Sequence, residues 1–255
     1  MKIHELYKFL SEKMPSSLSC EWDNDGLMCC GDPNREVARV LVALDITAAV
    51  VEEAIAGGYD VILSHHPLIF RPLRALEPSD PVAKKVIRLL GAGVTAMSFH
   101  TRLDAVAGGV NDTLAAALGL ENVVPFGEGG EEIGRIGTLP TPVTAEAFAQ
   151  TVKRVTEAPA VQLSDAGIPA HRVALLGGGG SGDVDAARAA GADTYLTGEL
   201  KHNQLTDAPE WGINLIAAGH FYTENLVCSR LCEMVLEADP SVCVRVVNSN
   251  AVRTV

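Results

Sequence analysis

The chain has few aromatic residues, 5% of its 255 positions, and no run of lysines or arginines. Its 20 basic side chains are outnumbered by 32 acidic ones, for a formal charge of −12. Binding along a phosphate backbone needs clustered cations, so nucleic acid is a disfavoured partner, although a single nucleotide held by metals or loop amides stays open. Long apolar runs are also missing. The most apolar stretch, VLVALDITAAVVEEAIAGG, is interrupted by Asp45, Glu52 and Glu53, well short of the roughly 20 residues a membrane span needs. The opening MKIHELYKFL places Lys2, His4, Glu5 and Lys8 where a secretory signal would be apolar, so a cytoplasmic protein is expected.

Cysteine patterns are equally uninformative. Six cysteines include the adjacent Cys29 and Cys30 and the helically spaced Cys228 and Cys232, but no CxxC. Reduced thiols are expected, packed in the core, with no local basic neighbour to activate those near Trp22. None of Ser64, Ser98 and Ser181 lies in a GxSxG elbow, and no GxxxxGK[ST] loop occurs, which argues against a serine hydrolase and a P-loop.

What is present is an alternation of apolar strands and helices. Residues 1–13 read as an amphipathic helix, followed by a turn-rich loop, CEWDNDGLMCCGDPN. From Val40 the order is strand (VLVALDI), helix capped by Thr47, strand (YDVILSH), helix (VAKKVIRLLGAG) and strand (VTAMSFH), the pattern of a parallel α/β sheet. A glycine-rich stretch from about Glu121 to Ala170, with a helix opened by Thr144, reads as an inserted or second unit with its own small sheet. The alternation then resumes through VALLGGGGSGDVDAARAAGADTYLTGELKHN, a further strand, a helix ended by Pro240 and a last strand, VCVRVV. The expected units are residues 1–124 plus 216–255, carrying most of the ligands, and residues 125–215. The loop at 177–182 lacks a nucleotide fingerprint and reads as a tight turn before an anion site.

The two α/β stretches repeat one another. At an offset of 133, VLVAL lies over VALLG, Asp60 over Asp193, Ser64 over Thr197 and His66 over Glu199; at an offset of 120, His100 and Asp104 lie over His220 and Glu224. Five of the seven histidines, His65, His66, His100, His202 and His220, stand at or just beyond predicted strand ends, where open α/β sheets place ligand sites. His4 and His171 read as surface residues. Each histidine alone has a plain alternative, a loop imidazole satisfied by water or backbone, and Asp104 or Glu224 alone could complement a helix N-terminus. Their concentration points to a metal site, because imidazole and carboxylate donors together suit one or two divalent ions. Glu199 in TGELKHN is a candidate general base, with Lys201 and His202 as polar rim.

The ordered combination WDNDGL, LSHHPLIF, SFHTRLDAVAGGVND, TGELKHN and GHFYTE resembles the GTP cyclohydrolase I type 2 homolog family, also called NIF-three-like. The resemblance implies an α/β protein of two intertwined, pseudo-dyad-related units of three-layer αβα kind with mostly parallel sheets. It also implies assembly as a toroidal homohexamer and a dinuclear centre of two divalent metal ions per chain. The implied ligands are His65, His66, Asp104, His220 and a bridging Glu224, with His100 an extra ligand or a residue behind them. Zinc, iron, manganese, cobalt and nickel all suit such donors. Arg102 and Asn203 depart from the family's pattern, which commonly has a small polar residue or proline and a second histidine there. The expected function is metal-dependent hydrolysis, GTP cyclohydrolase-like, with Glu199 or His100 moving the proton. A metal-dependent phosphoesterase and a non-catalytic metal-binding assembly protein are the alternatives.

Overall fold

A computed structural model describes residues 1–127 and 132–255. They divide into two compact units, Met1–Leu103 with Cys228–Ala251, and Asp104–Val227 with Val252–Val255. In chain order the first unit holds α1 (Ile3–Lys13), β1 (Gly26–Cys29), β2 (Arg39–Ala43), α2 (Ala48–Ala56), β3 (Val61–Ser64), α3 (Pro81–Ala92) and β4 (Thr95–Ser98). The short α4 (Thr101–Ala105) carries the chain into the second unit. There follow α5 (Val110–Ala117), β5 (Glu121–Phe126), β6 (Gly134–Val143), α6 (Ala145–Thr156), β7 (Gln162–Ser164), β8 (Ala170–Leu176), α7 (Val184–Ala189), β9 (Thr194–Thr197), α8 (His202–Trp211), β10 (Asn214–Ala217) and α9 (His220–Glu224). The chain then returns to the first unit with α10 (Val227–Ala238) and β11 (Cys243–Val246).

Local chemistry sets the helix ends. Thr47 caps α2 by accepting from Val50 N, Asp80 caps α3 by accepting from Val82 N and Ala83 N, and Thr144 caps α6 by accepting from Ala147 N. Helix α3 also has Pro81 at its start and ends at Gly93, whose φ of 71° is a left-handed conformation that glycine adopts without strain.

The first sheet has the order β1-β4-β3-β2-β11, parallel except for β1. Leu41, Ala43, Ile62 and Ala96 face a cluster with Val50, Val51 and Ala54 of α2 and Val86 and Leu89 of α3. The alternate residues Val40, Val42, Val61, Leu63 and Met97 are just as buried, so both faces are covered, as near-continuous apolar strands require. The second sheet has the order β5-β6-β8-β9-β10-β7. Strands β8, β9 and β10 run parallel, with α5 and α6 packed on one face and α7 and α8 on the other. Each unit is therefore a helix–sheet–helix arrangement, but the second sheet is mixed because β5, β6 and β7 pair antiparallel.

Two expectations need correction. Among the described residues the 121–170 stretch has no sheet of its own: β6 pairs with β8 and β7 with β10, so its strands extend the second, mixed sheet. The unit boundaries also fall at 103 and 227 where the sequence places them near 124 and 216. Leu114 and Ala115 of α5 pack on the second sheet, and β10 pairs with β9, so both belong to the second unit. The first unit thus carries His65, His66 and His100, and the second carries Asp104, His220 and Glu224. In the glycine-rich stretch that begins near Glu121, Gly129 and Gly130 lie outside the described residues.

Candidate metal centre

In the first unit, His65 and His66 leave β3 just before Pro67. Side chains of adjacent residues on a continuing strand point to opposite faces, but here the strand stops at Ser64 and the two rings lie 4.9 Å apart between centroids. The Ser64 hydroxyl braces this ending, donating to His66 O at 2.8 Å and standing 2.8 Å from Ser98 Oγ. His100, two residues beyond β4, brings its ring to 5.3 Å from His65 and 5.7 Å from His66. One nitrogen from each of these three rings lies within 4.8 Å of the others, a spacing that can hold a metal ion.

The other nitrogen of each ring faces an oxygen. His65 Nδ1 donates to Phe99 O at 3.0 Å, His66 Nδ1 to Asp45 Oδ1 at 2.7 Å, and His100 Nδ1 to Asp23 Oδ1 at 2.8 Å. A carbonyl or carboxylate oxygen only accepts, so Nδ1 carries the hydrogen and Nε2 the lone pair in each neutral ring. This is how metal-binding imidazoles are fixed: the acceptor sets the tautomer, orients the ring and makes the ligating nitrogen more basic.

The acceptors are themselves held. Asp23 Oδ2 accepts from Thr101 N at 3.0 Å and Thr101 Oγ1 at 2.6 Å. Burial alone would raise the Asp23 pKa, but the hydrogen bonds from His100 and Thr101 outweigh it and hold the carboxyl well below the usual carboxylate range. Asp25 accepts from His100 N and pairs bidentately with Arg102, Nε at 2.9 Å and Nη2 at 2.5 Å. That pair explains Arg102, whose guanidinium is 3% exposed, lies over the Phe99 ring and donates to Met14 O. The departure from the family's pattern is thus an internal brace beneath the HTRLD segment. Asp45 is bound on its far side by Ser249, which donates to Oδ2 at 3.2 Å and accepts from Asp45 N at 3.0 Å.

In the second unit, the buried Asp104 sits in α4, its carbonyl accepting from Asn111 Nδ2 at 3.3 Å. Asn111 Oδ1 in turn accepts from Gly177 N at 2.8 Å. His220 and Glu224 open and close α9, one turn apart on one face, with His220 Nε2 3.1 Å from Glu224 Oε2. His220 Nδ1 lies 3.3 Å from Glu199 Oε1. The glycine loop explains why these groups fit. A Cβ on Gly178 would land on the Glu224 carboxylate and 2.9 Å from His220 Nε2, and one on Gly177 would come within 3.1 Å of Glu224 Cγ. Gly178 N donates to Thr223 Oγ1 at 3.0 Å, and Gly178 O accepts from Gly198 N at 3.0 Å. The loop is a close-packed turn under α9, the role the sequence favoured over an anion site.

Sequence reasoning singled out the three histidines of the first unit and the Asp104, His220 and Glu224 of the second; the histidines of the first unit follow strand ends, Asp104 lies in α4, and His220 and Glu224 lie in the short α9, ahead of the last long helix. It gave no role to Asp23, Asp45, Asn111 or Ser249. Asp45 could have been found, because an aspartate terminating the apolar run VLVAL is out of character with a buried strand. The other expected proton carrier, Glu199, is 64% exposed at its side chain. His202 and Asn203 are exposed at the start of α8, and the Asn203 carbonyl accepts from Thr206 Oγ1.

A family model described as Duf34/NIF3 (NGG1p interacting factor 3) matches residues 1–253. A Nostoc sp. protein named GTP cyclohydrolase 1 type 2 homolog is 37% identical over 203 residues, covering 78% of this chain and 77% of its own. The Protein NIF3 homolog of Schizosaccharomyces pombe is 33% identical over 247 residues, covering 89% and 88%. The crystal structure of a Bacillus cereus protein related to NIF3 has a TM-score of 0.90 over 100% of this chain and 99% of its own; at 24% identity it shows the fold alone.

Proposed function

Since the chain belongs to the Duf34/NIF3 family, we propose that it is a metal-dependent hydrolase with two divalent ions per chain, held by His65, His66, Asp104, His220 and Glu224. The observation that carries the reading is the commitment of His65, His66 and His100 Nδ1 to oxygen acceptors, which leaves each Nε2 as the donor nitrogen. Two bound ions would supply an acidified water and polarise the bond under attack. The names of the Nostoc relative and others suggest a purine substrate, whose imidazole ring would be opened at C8 with release of formate.

The protein's own part is orientation and proton transfer. Asp23 and His100 form the carboxylate–imidazole pair that a general base uses, with Asp23 fixing the orientation and tautomer of the ring. Glu199, exposed beside His220, is the second candidate to carry a proton to solvent. Its exposure also favours the second reading, a metal-binding assembly protein without turnover, because a carboxylate in open solvent is not pre-positioned. We assign the assembled form to a hexamer, which light scattering tests directly.

Elemental analysis of the purified protein, paired with formate release from GTP by the same sample, tests the reading. Two ions per chain and GTP-dependent formate support it. Full metal content in both His65→Ala and Glu224→Ala would overturn the ligand assignment, and two ions with no formate would leave the binding role.

A further inference from the structure

We propose that Trp22 and Phe70 form a stacking platform beside His100 for a planar heteroaromatic ring that carries an anionic group. The proposal rests on the reading of the neighbouring histidines as part of a metal-dependent hydrolase only for what happens to the ring after it binds.

Trp22 is 57% exposed and Phe70 45% exposed, in a chain with only two tryptophans and six phenylalanines. Their rings are 6.2 Å apart at 71°, and each lies 6.1 Å from the His100 ring, at 77° and 89°. Two large apolar rings thus stand in solvent against one of the three clustered imidazoles. Isolated exposed side chains need no explanation, but an exposed aromatic pair joined to a polar cluster marks a contact surface.

The backbone under Trp22 is fixed although its side chain is not covered. Asp23 N donates to Cys20 O at 3.0 Å, closing a turn across Trp22, and Cys20 N donates to Thr101 Oγ1 at 2.9 Å. The Asp23 side chain is fully buried against His100 and Thr101. Asn24 Nδ2 donates to Ile69 O, tying the Trp22 segment to the residue before Phe70. Both rings are therefore presented in one rigid frame, so little ordering entropy opposes a ligand that stacks there. A tryptophan face is the most favourable aromatic surface for a flat ring, and stacking tolerates many ring identities.

The charge beside the platform selects among flat ligands. Arg71 and Arg74 follow Phe70 on the same loop and are exposed. In a chain of net charge −12 two exposed cations within four residues of Phe70 favour an anionic substituent. Guanidinium groups suit phosphate or carboxylate in particular.

The test uses the full chain as purified, with metal content measured on each sample. In a Trp211→Phe background Trp22 is the sole tryptophan, and its fluorescence reports the platform directly. GTP and guanosine are expected to quench it saturably, with GTP the tighter, while ribose 5-phosphate, an anion without the ring, leaves it unchanged. Trp22→Ala and, separately, Phe70→Leu are expected to weaken guanosine binding about tenfold by calorimetry, with metal content and elution volume unchanged. No saturable quenching, or guanosine affinity unaffected by both substitutions, overturns the proposal. So does a Trp22→Ala protein that binds guanosine normally but falls to a smaller assembly, because the rings would then serve a contact between copies. Quenching by a protein that holds no metal would sink the hydrolase reading and leave the platform standing; two ions per chain with no quenching would do the reverse.

Discussion

Asp60 and Asp193 hold the same place in their two sheets. Asp60 Oδ2 accepts from Ala38 N at 2.9 Å and Arg39 N at 3.0 Å, and Asp193 Oδ2 accepts from His171 N at 3.1 Å and Arg172 N at 2.7 Å. The surrounding backbone repeats as well. Asp60 N donates to Arg39 O and Asp60 O accepts from Thr95 N, while Asp193 N donates to Arg172 O and Asp193 O accepts from Asn214 N. Each carboxylate ties off the start of the neighbouring strand, at the end opposite to that where the histidines or Glu199 emerge. The internal repeat is therefore a repeat of hydrogen bonds, and it covers β2-α2-β3-β4 and β8-α7-β9-β10.

Removing either carboxylate takes the acceptor from two strand-end amides that are at most half-buried, so Asp60→Ala and Asp193→Ala should each lower stability by about 1–2 kcal/mol. Asp60→Ala should be the more damaging, because it also releases Arg35, paired with Asp60 Oδ1 at 2.8 Å. Metal content should be unaffected in both. Urea unfolding of the three proteins decides the matter; wild-type stability in both variants would remove the clamp.

Thiol reactivity follows burial. Desolvation pushes the Cys29 thiol up to about 11, against a weaker lowering effect from Ala96 N, and desolvation with the neighbouring Glu233 does the same for Cys232. The thiolate is the nucleophile, so alkylation of both should be slow at pH 8 and should rise roughly tenfold per pH unit until about pH 11. The exposed Cys243 should react first. Mass mapping after brief iodoacetamide treatment checks the order, and early labelling of Cys29 at pH 8 would contradict it.

The fold was largely legible because buried parallel strands announce themselves as short apolar runs and their helices carry ordinary caps at Thr47 and Thr144. What escaped was pairing that runs against the local pattern. Nothing in 134–143 shows that β6 lies antiparallel to β8, since pairing partners are set by tertiary contact and not by propensity. The site was legible through histidines at strand ends, and the repeat brought Glu224 into line with Asp104. The residues behind the candidate ligands were not, because Asp23 and Ser249 act over separations of 77 and 204 residues. No spacing rule reaches that far.

Asp45 should act on metal binding through His66. Asp45→Asn keeps the shape of the side chain but weakens the acceptor for His66 Nδ1, and substitutions of this kind typically cost 10- to 100-fold in metal affinity. Ser249→Ala, one contact further out, should cost only a few-fold. Competition with a chelator measures both, with circular dichroism confirming the fold. Undiminished affinity in Asp45→Asn would mean that His66 binds no metal.

Gly178 gives a test of Glu224 that deletes no donor atom. Its φ of 67° disfavours any side chain by about 1–2 kcal/mol, and an added Cβ would occupy the position of the Glu224 carboxylate. Gly178→Ala should therefore displace Glu224, lower the melting temperature and reduce bound metal. Gly182→Ala in the same loop is the control, because its Cβ would meet nothing within 4 Å and its φ is not positive. The loop was chosen by close approach and not by charge, so the control should match the wild type in both measurements. Should Gly178→Ala keep its full complement of metal while losing stability, the carboxylate of Glu224 would be a packing group and the second unit's contribution would fall to Asp104 and His220.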